Sequence, residues 1–186
     1  MIILEGPDNS GKSTLGSGLK KLLGWNLEHG KRFYHYSVSP FDRGETVYRE
    51  ALVQLTPRAV IMDRCYAIGE NVYGPIIRGD NQLNHRAKDA LMMLANSQHL
   101  IIYCRPHITD ITGTTKEEMA GVKENLRKIT HTYDVVMGNL EKAGAFVITY
   151  DYNKPGAFEM VVDKCMAHVK YFNHNQEKLN ELASYL

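Results

Sequence analysis

Residues 6–14 read Gly-Pro-Asp-Asn-Ser-Gly-Lys-Ser-Thr, which puts two glycines, a lysine and three hydroxyl side chains on one tight turn. The turn follows a short apolar run, Met1–Leu4. The spacing Gly6-x-x-x-x-Gly11-Lys12-Ser13 is that of a phosphate-binding loop. Its glycines let successive backbone N–H groups turn inward, so that Asn9, Ser10, Gly11, Lys12, Ser13 and Thr14 form a cradle. Lys12 adds a point charge for the β and γ phosphates, and Ser13, with Thr14 beside it, offers a hydroxyl to Mg²⁺. A helix starting here aims its positive N-terminal end at the same anion. The chemistry implied is the binding of a nucleoside triphosphate, ATP with Mg²⁺.

Asp8 is unusual in such a loop, because a carboxylate beside phosphates is electrostatically costly. It makes sense facing away from them, toward an acceptor's sugar hydroxyl. A loop-bracing hydrogen bond to backbone is the structural alternative.

A second cluster lies in residues 60–79, VIMDRCYAIGENVYGPIIRG. Asp63 and Arg64 stand at the carboxyl end of an expected strand, the edge at which open parallel sheets bind ligands. Asp63 can hold Mg²⁺, directly or through water, and Arg64 can grip an acceptor phosphate with its planar fork. Tyr73 and Arg78, farther along, are candidates for the acceptor pocket. Arg105 follows the next strand and, with Arg64 and Arg78, is a candidate cation for an acceptor phosphate and a candidate catalytic residue. Lys116, Lys123 and Arg127 fall within about 40° of one another on a helical projection. Such a basic row would close as a lid over the transferring phosphoryl group; a solvated helix face is the competing reading. In YDYNKP, residues 150–155, Asp151 or Tyr152 would wall the donor adenine.

Strands are expected at 1–5, 32–38, 58–63, 99–104 and 145–150, from β-branched and aromatic runs. Helices are expected at 12–23, 43–54, 82–98, 156–172 and 174–185. Another long helix carries the stripe Met119, Val122, Leu126, Ile129, Tyr133, Val136 and Leu140. Residues 105–118 are polar and read as a mobile loop. Alternation of strands and helices implies an α/β fold: a P-loop NTPase-type parallel five-stranded sheet flanked by helices, with a lid at about 105–120. One domain spanning 1–186 is expected.

Composition excludes several classes. The net charge is +1 without a long run of one sign, so nothing argues for a nucleic-acid groove or a membrane surface. No apolar stretch approaches membrane-spanning length and no signal peptide is visible. The three cysteines are far apart and the eight histidines lack zinc spacing, so reduced thiols, no structural metal and a cytoplasmic location are expected.

With LEGPDNSGKST and DR…VYG both placed, the chain resembles the thymidylate kinase family of P-loop nucleoside monophosphate kinases, and most the small divergent members typical of bacteriophages. The family loop E-G-x-D-x-x-G-K-S/T is matched by Glu5, Gly6, Asp8, Gly11, Lys12 and Ser13, and its D-R by Asp63 and Arg64. Tyr73 matches the tyrosine that follows. The resemblance implies transfer of the γ-phosphoryl group of ATP to a (deoxy)nucleoside monophosphate, dTMP first among them. It also implies that Asp8 meets the acceptor's sugar, that Arg64 meets its phosphate, and that the chain is a candidate homodimer.

There are departures from the family pattern. Ile68 stands where the family has serine or threonine. YSVSPFDRG replaces an arginine-proline-glycine motif, with Arg43 the candidate substitute. The lid lacks the family's arginine cluster. These bear on nucleobase choice more than on reaction type.

Two alternatives stay open. A deoxynucleoside kinase phosphorylates a hydroxyl and needs a carboxylate base near the end of strand two; the run RFYHYSVSP carries none. A nucleotide-binding switch that reads guanine would need N-K-x-D, and YNKPG lacks the aspartate.

Overall fold

The computed structural model describes residues 1–29, 48, 51–52, 55–56, 58–112 and 120–183. Five strands form one sheet: β1 (Ile2–Glu5), β2 (Asn26–His29), β3 (Val60–Asp63), β4 (Leu100–Cys104) and β5 (Phe146–Tyr150). Their order is β2-β3-β1-β4-β5 and every pairing is parallel. β1, β3 and β4 are buried along their whole lengths, which is why they read as continuous apolar runs rather than alternating ones.

Alternation nevertheless sorts the core. Met1, Ile3, Met62 and Ile101 face one layer, with Ile129, Tyr133 and Leu140 of helix α5 (Leu126–Lys142). Ile2, Leu4, Ile61 and Ile102 face the other, with Leu15 and Leu19 of α1 (Lys12–Leu23) and Val161 and Cys165 of α6 (Ala157–Ala183). Helices therefore cover both faces of the sheet, as expected. Further helices among the described residues include α2 (Tyr66–Tyr73), running into a π-helical turn at Gly74–Arg78, α3 (Ala87–Asn96) and the short α4 (Ile108–Thr112).

Because the strands are parallel, the carboxyl ends of β1, β3, β4 and β5 share one edge. Glu5, Asp63, Cys104 and Tyr150 stand there.

Several expectations are corrected. Among the described residues the second strand is Asn26–His29, where none was expected; the strand expected at 32–38 lies outside the described residues. NLEH has one aliphatic residue, but an edge strand needs only one apolar face, and Trp25 and Leu27 supply it. Of the helix expected at 43–54, Tyr48, Ala51 and Leu52 are helical and the rest lies outside the described residues. The long helix begins at Leu126; Gly121 upstream has φ +84°, so Val122 and Lys123 sit in turns. The helical projection that grouped Lys123 with Arg127 therefore does not hold. The two expected C-terminal helices are one, since nothing between Phe172 and His174 breaks the ladder. The three cysteines are buried and free. No helix among the described residues is long and apolar enough to cross a membrane.

Candidate active site

The loop after β1 is shaped by two glycines with positive φ. A Cβ at Gly6 (φ +143°) would lie 2.3 Å from the Cys104 carbonyl oxygen, so the loop backbone can press on β4 only with glycine there. A Cβ at Gly11 (φ +85°) would lie 3.0 Å from the Tyr152 ring, which places Tyr152 against the loop. Asn9 takes φ 61° without being glycine. Ser10 is buried and Thr14 exposed.

Lys12 folds back into the loop. Its Nζ donates to the Gly6 carbonyl at 2.9 Å, to the Pro7 carbonyl at 2.5 Å and to Ser10 Oγ at 3.3 Å. Burial, and then the neighbouring Arg64 cation, push its pKa down to about 8. A buried ammonium held by neutral carbonyls is a site that an anion would relieve.

Ser13 Oγ donates to Asp63 Oδ2 at 3.2 Å, so the two expected metal-binding residues meet. Among the described residues no group of three or more His, Cys, Asp or Glu could hold a metal ion. A hydroxyl plus one carboxylate is the donor set that suits Mg²⁺, which keeps its waters and takes the rest of its shell from substrate phosphates.

Arg64 follows β3 with φ 72°, and its N–H donates to the Leu4 carbonyl at 3.0 Å. Left-handed backbone at a non-glycine residue is uncommon and often collects at functional sites, which supports Arg64 as part of the candidate site. The guanidinium reaches over β1. Nη2 donates to Asp8 Oδ1, and Nη1 donates to Tyr133 Oη at 3.2 Å and to the Gly6 carbonyl at 3.4 Å. Cζ lies 5.0 Å from the Tyr73 ring centroid, and Tyr73 donates its hydroxyl to Asp8 Oδ2 at 3.3 Å. Asp8, Arg64 and Tyr73, three of the expected acceptor-binding residues, thus form one cluster beside the loop.

Other expected residues are placed differently. Arg78 Nη2 closes on both oxygens of buried Glu70, at 2.5 and 2.6 Å, while Glu70 also accepts the Gln82 N–H at 2.7 Å. That arrangement braces the turn after α2. Arg105 grips Asp134 of α5 through Nε (2.8 Å) and Nη2 (3.0 Å), and Tyr103 donates to the same carboxylate at 2.7 Å. Partial burial favours neutral Asp134, but Arg105 and Tyr103 hold its pKa below the usual carboxylate range. Asp151 Oδ1 accepts the Asn153 N–H at 3.1 Å, a turn brace, and Asn153 donates to Asp110 of α4 at 2.9 Å. Of the pair considered for the donor wall, Tyr152 is the one in contact with the loop. Lys123 and Arg127 are exposed; Arg43 and Lys116 lie outside the described residues.

Two residues of this cluster carry no expected role. Glu5, fully buried, accepts the Cys65 N–H at 2.5 Å and the Tyr133 hydroxyl at 2.9 Å. Burial pushes its pKa up, while Arg64, the Cys65 N–H, Tyr133 and Lys12 oppose that shift. Tyr133 reads in the sequence as one position of an apolar stripe. The available signal was its hydroxyl, which needs a partner once the stripe is buried.

No protein-family model and no curated protein matches the chain. Solved structures do. The chain is 21% identical to the YorR protein of Bacillus subtilis, solved with phosphorylated GDP, covering 93% of this chain and 97% of that one at TM-score 0.69. Deoxyadenosine kinase from M. mycoides with bound dCTP matches at 17% identity, 90% and 100% coverage and TM-score 0.54. Thymidylate kinase from Candida albicans matches at 12% identity, 91% and 90% coverage and TM-score 0.56. At these identities the likeness establishes the fold, a parallel sheet of the P-loop kinase type.

Proposed function

We propose that the chain is a nucleoside monophosphate kinase that transfers the γ-phosphoryl group of ATP to a (deoxy)nucleoside monophosphate, with dTMP the first acceptor to test. The observation that carries this reading is the meeting of Arg64 and Asp8 beside the phosphate loop, with Tyr73 under both. A fork cation and a carboxylate side by side match an acceptor that presents a phosphate dianion and a sugar hydroxyl together. The structural neighbours, a deoxyadenosine kinase and a thymidylate kinase among them, favour a nucleoside or nucleotide acceptor.

In this reading Lys12 turns from the Gly6 and Pro7 carbonyls to the β and γ phosphates, and the loop N–H groups bind the same oxygens. Ser13 and Asp63 would hold Mg²⁺, which would supply positive charge to the phosphates. Arg64 exchanges Asp8 for the acceptor phosphate, and Asp8 turns to the sugar. A monophosphate oxygen is already ionised, so no general base is needed, and rate comes from alignment and charge neutralisation. Lys123, Arg127 and the segment around Lys116 are the lid candidates.

A second reading, a deoxynucleoside kinase, gains from the strand Asn26–His29. β2 does carry a carboxylate, Glu28, level with Met62 and one residue short of the edge. Arg58 Nη1 holds it at 3.1 Å, which opposes its use as a free base. A coupled ADP-release assay against nucleosides and nucleoside monophosphates decides. Turnover of monophosphates alone supports the first reading, and turnover of nucleosides alone replaces it with the second.

A further inference from the structure

Arg64 can recognise a phosphate only if its fork is held at a fixed angle, because a flexible guanidinium gives up the geometric advantage over an ammonium. Its own element does not hold it. Arg64 stands on a short turn between β3 and α2, one residue past the strand. Nη1 is shared between the Gly6 carbonyl of the loop, at 3.4 Å, and a nearer partner from α5, 69 positions along the chain: the oxygen of Tyr133, at 3.2 Å. That oxygen accepts from Arg64 because its own hydrogen is already committed to Glu5 Oε2 at 2.9 Å. Glu5 is fixed in turn by the Cys65 N–H, immediately after Arg64. The Tyr133 ring is clamped as well, stacked on Tyr103 (5.9 Å between centroids, 25° between planes) and edge-on to Tyr73 (6.0 Å, 78°).

We propose that Tyr133, oriented by Glu5, is a positioning residue for Arg64: it pins one guanidinium nitrogen from below and leaves the other directed at Asp8 and the acceptor anion. This rests on the assignment of Arg64 to the acceptor in the proposed function. Glu5 and Tyr133 point into the protein and bind no substrate themselves. Their role is to make Nη2 available in one orientation. The residues that touch the acceptor lie on β1–α1 and β3–α2, while the helix that aims one of them, α5, packs against α2 on the same face of the sheet.

Tyr133→Phe removes one oxygen and keeps both ring contacts. Two measurements on the full chain test the proposal. In the first, ¹⁵N NMR of the Arg64 guanidinium, which needs no acceptor, should show distinct Nη1 and Nη2 signals in wild type that average together in Tyr133→Phe. In the second, kcat/KM for a monophosphate acceptor should fall about tenfold, with ATP binding in the absence of acceptor changed less than about twofold. In an Arg64→Lys background the same Tyr133→Phe change should cost less than about twofold, because the fork it orients is gone. Glu5→Gln, which leaves the Tyr133 hydroxyl without a carboxylate, should move the same parameters in the same direction. Unchanged guanidinium signals, equal losses for ATP and acceptor, or full additivity with Arg64→Lys would each overturn the proposal. If the wild type turns over nucleosides and no monophosphate, the proposed function falls instead, and the NMR comparison still decides whether Tyr133 holds Arg64.

Discussion

Ser13 Oγ and Asp63 Oδ2 lie 3.2 Å apart, joining the first turn of α1 to the last residue of β3. Two hard oxygen ligands come together there from residues 50 positions apart. Ser13→Ala and Asp63→Asn should each weaken the apparent Mg²⁺ affinity about 10–100-fold in an ADP-release titration. A Mg²⁺ dependence identical to wild type would remove the pair from the metal site.

Lys12 gives a prediction with two opposite signs. Its pKa is lowered to about 8 from an ordinary 10.5, mainly by burial. Below pH 8 the native protein carries a buried cation that the unfolded chain would solvate, so Lys12 opposes folding. From about pH 8 to 10.5 the unfolded chain binds the extra proton, and stability rises with pH. Lys12→Met should therefore stabilise the ligand-free protein at pH 7, on the order of 1–3 kcal/mol by denaturant unfolding, with the gain shrinking above pH 8. Turnover should fall by orders of magnitude in the same variant, and in Lys12→Ala. Activity within about threefold of wild type would end the phosphate-loop assignment.

Arg64→Lys keeps charge and loses the fork; Arg64→Ala loses both. Acceptor kcat/KM should fall in the order wild type, Lys, Ala, with a loss for Ala on the order of 2–4 kcal/mol. ATP binding without acceptor should hardly change. Equal effects on ATP and acceptor would place Arg64 in the donor site instead.

Asp8→Asn removes the carboxylate that holds Arg64 Nη2 and takes the Tyr73 hydroxyl. Arg64 gives up Asp8 when an acceptor phosphate binds, so any weakening of monophosphate acceptors should come through the sugar contact of Asp8. Those with a 3′-hydroxyl should weaken further than 2′,3′-dideoxy acceptors, by about 1.5–3 kcal/mol, the scale of a charged hydrogen bond. Equal losses would confine Asp8 to bracing Arg64.

His99 sets an acid limit far from the site. It is buried, its Nε2 bonds to the Leu55 carbonyl at 2.8 Å, and burial pushes its pKa down to about 4 from 6.5. Between those values the unfolded chain binds a proton that the native state refuses, so stability falls as pH falls from 6.5 to 4. The contribution is at most about 1.4 kcal/mol per pH unit. His99→Gln keeps a donor for Leu55 and should flatten that part of the stability profile.

What the sequence determined alone is local. Gly6 to Thr14 between an apolar run and a helix implies a phosphate cradle, because glycine spacing, lysine and hydroxyls act within a single turn. Asp63 and Arg64 were legible because a buried parallel strand announces itself as an uninterrupted apolar run, and its carboxyl end is where ligands bind. Tertiary structure decided everything that depends on who faces whom. NLEH, residues 26–29, became a strand because the open edge of β3 offered hydrogen-bond partners, which composition does not record. Arg78 and Arg105 were candidate phosphate ligands on paper, and the fold sets them against Glu70 and Asp134. Tyr133 stood in an apolar stripe until packing set its hydroxyl between Glu5 and Arg64, residues 128 and 69 positions away. Side-chain type and local spacing set which groups were able to do the chemistry; long-range packing chose their partners, because a charged side chain pairs with whatever the fold brings within hydrogen-bond reach.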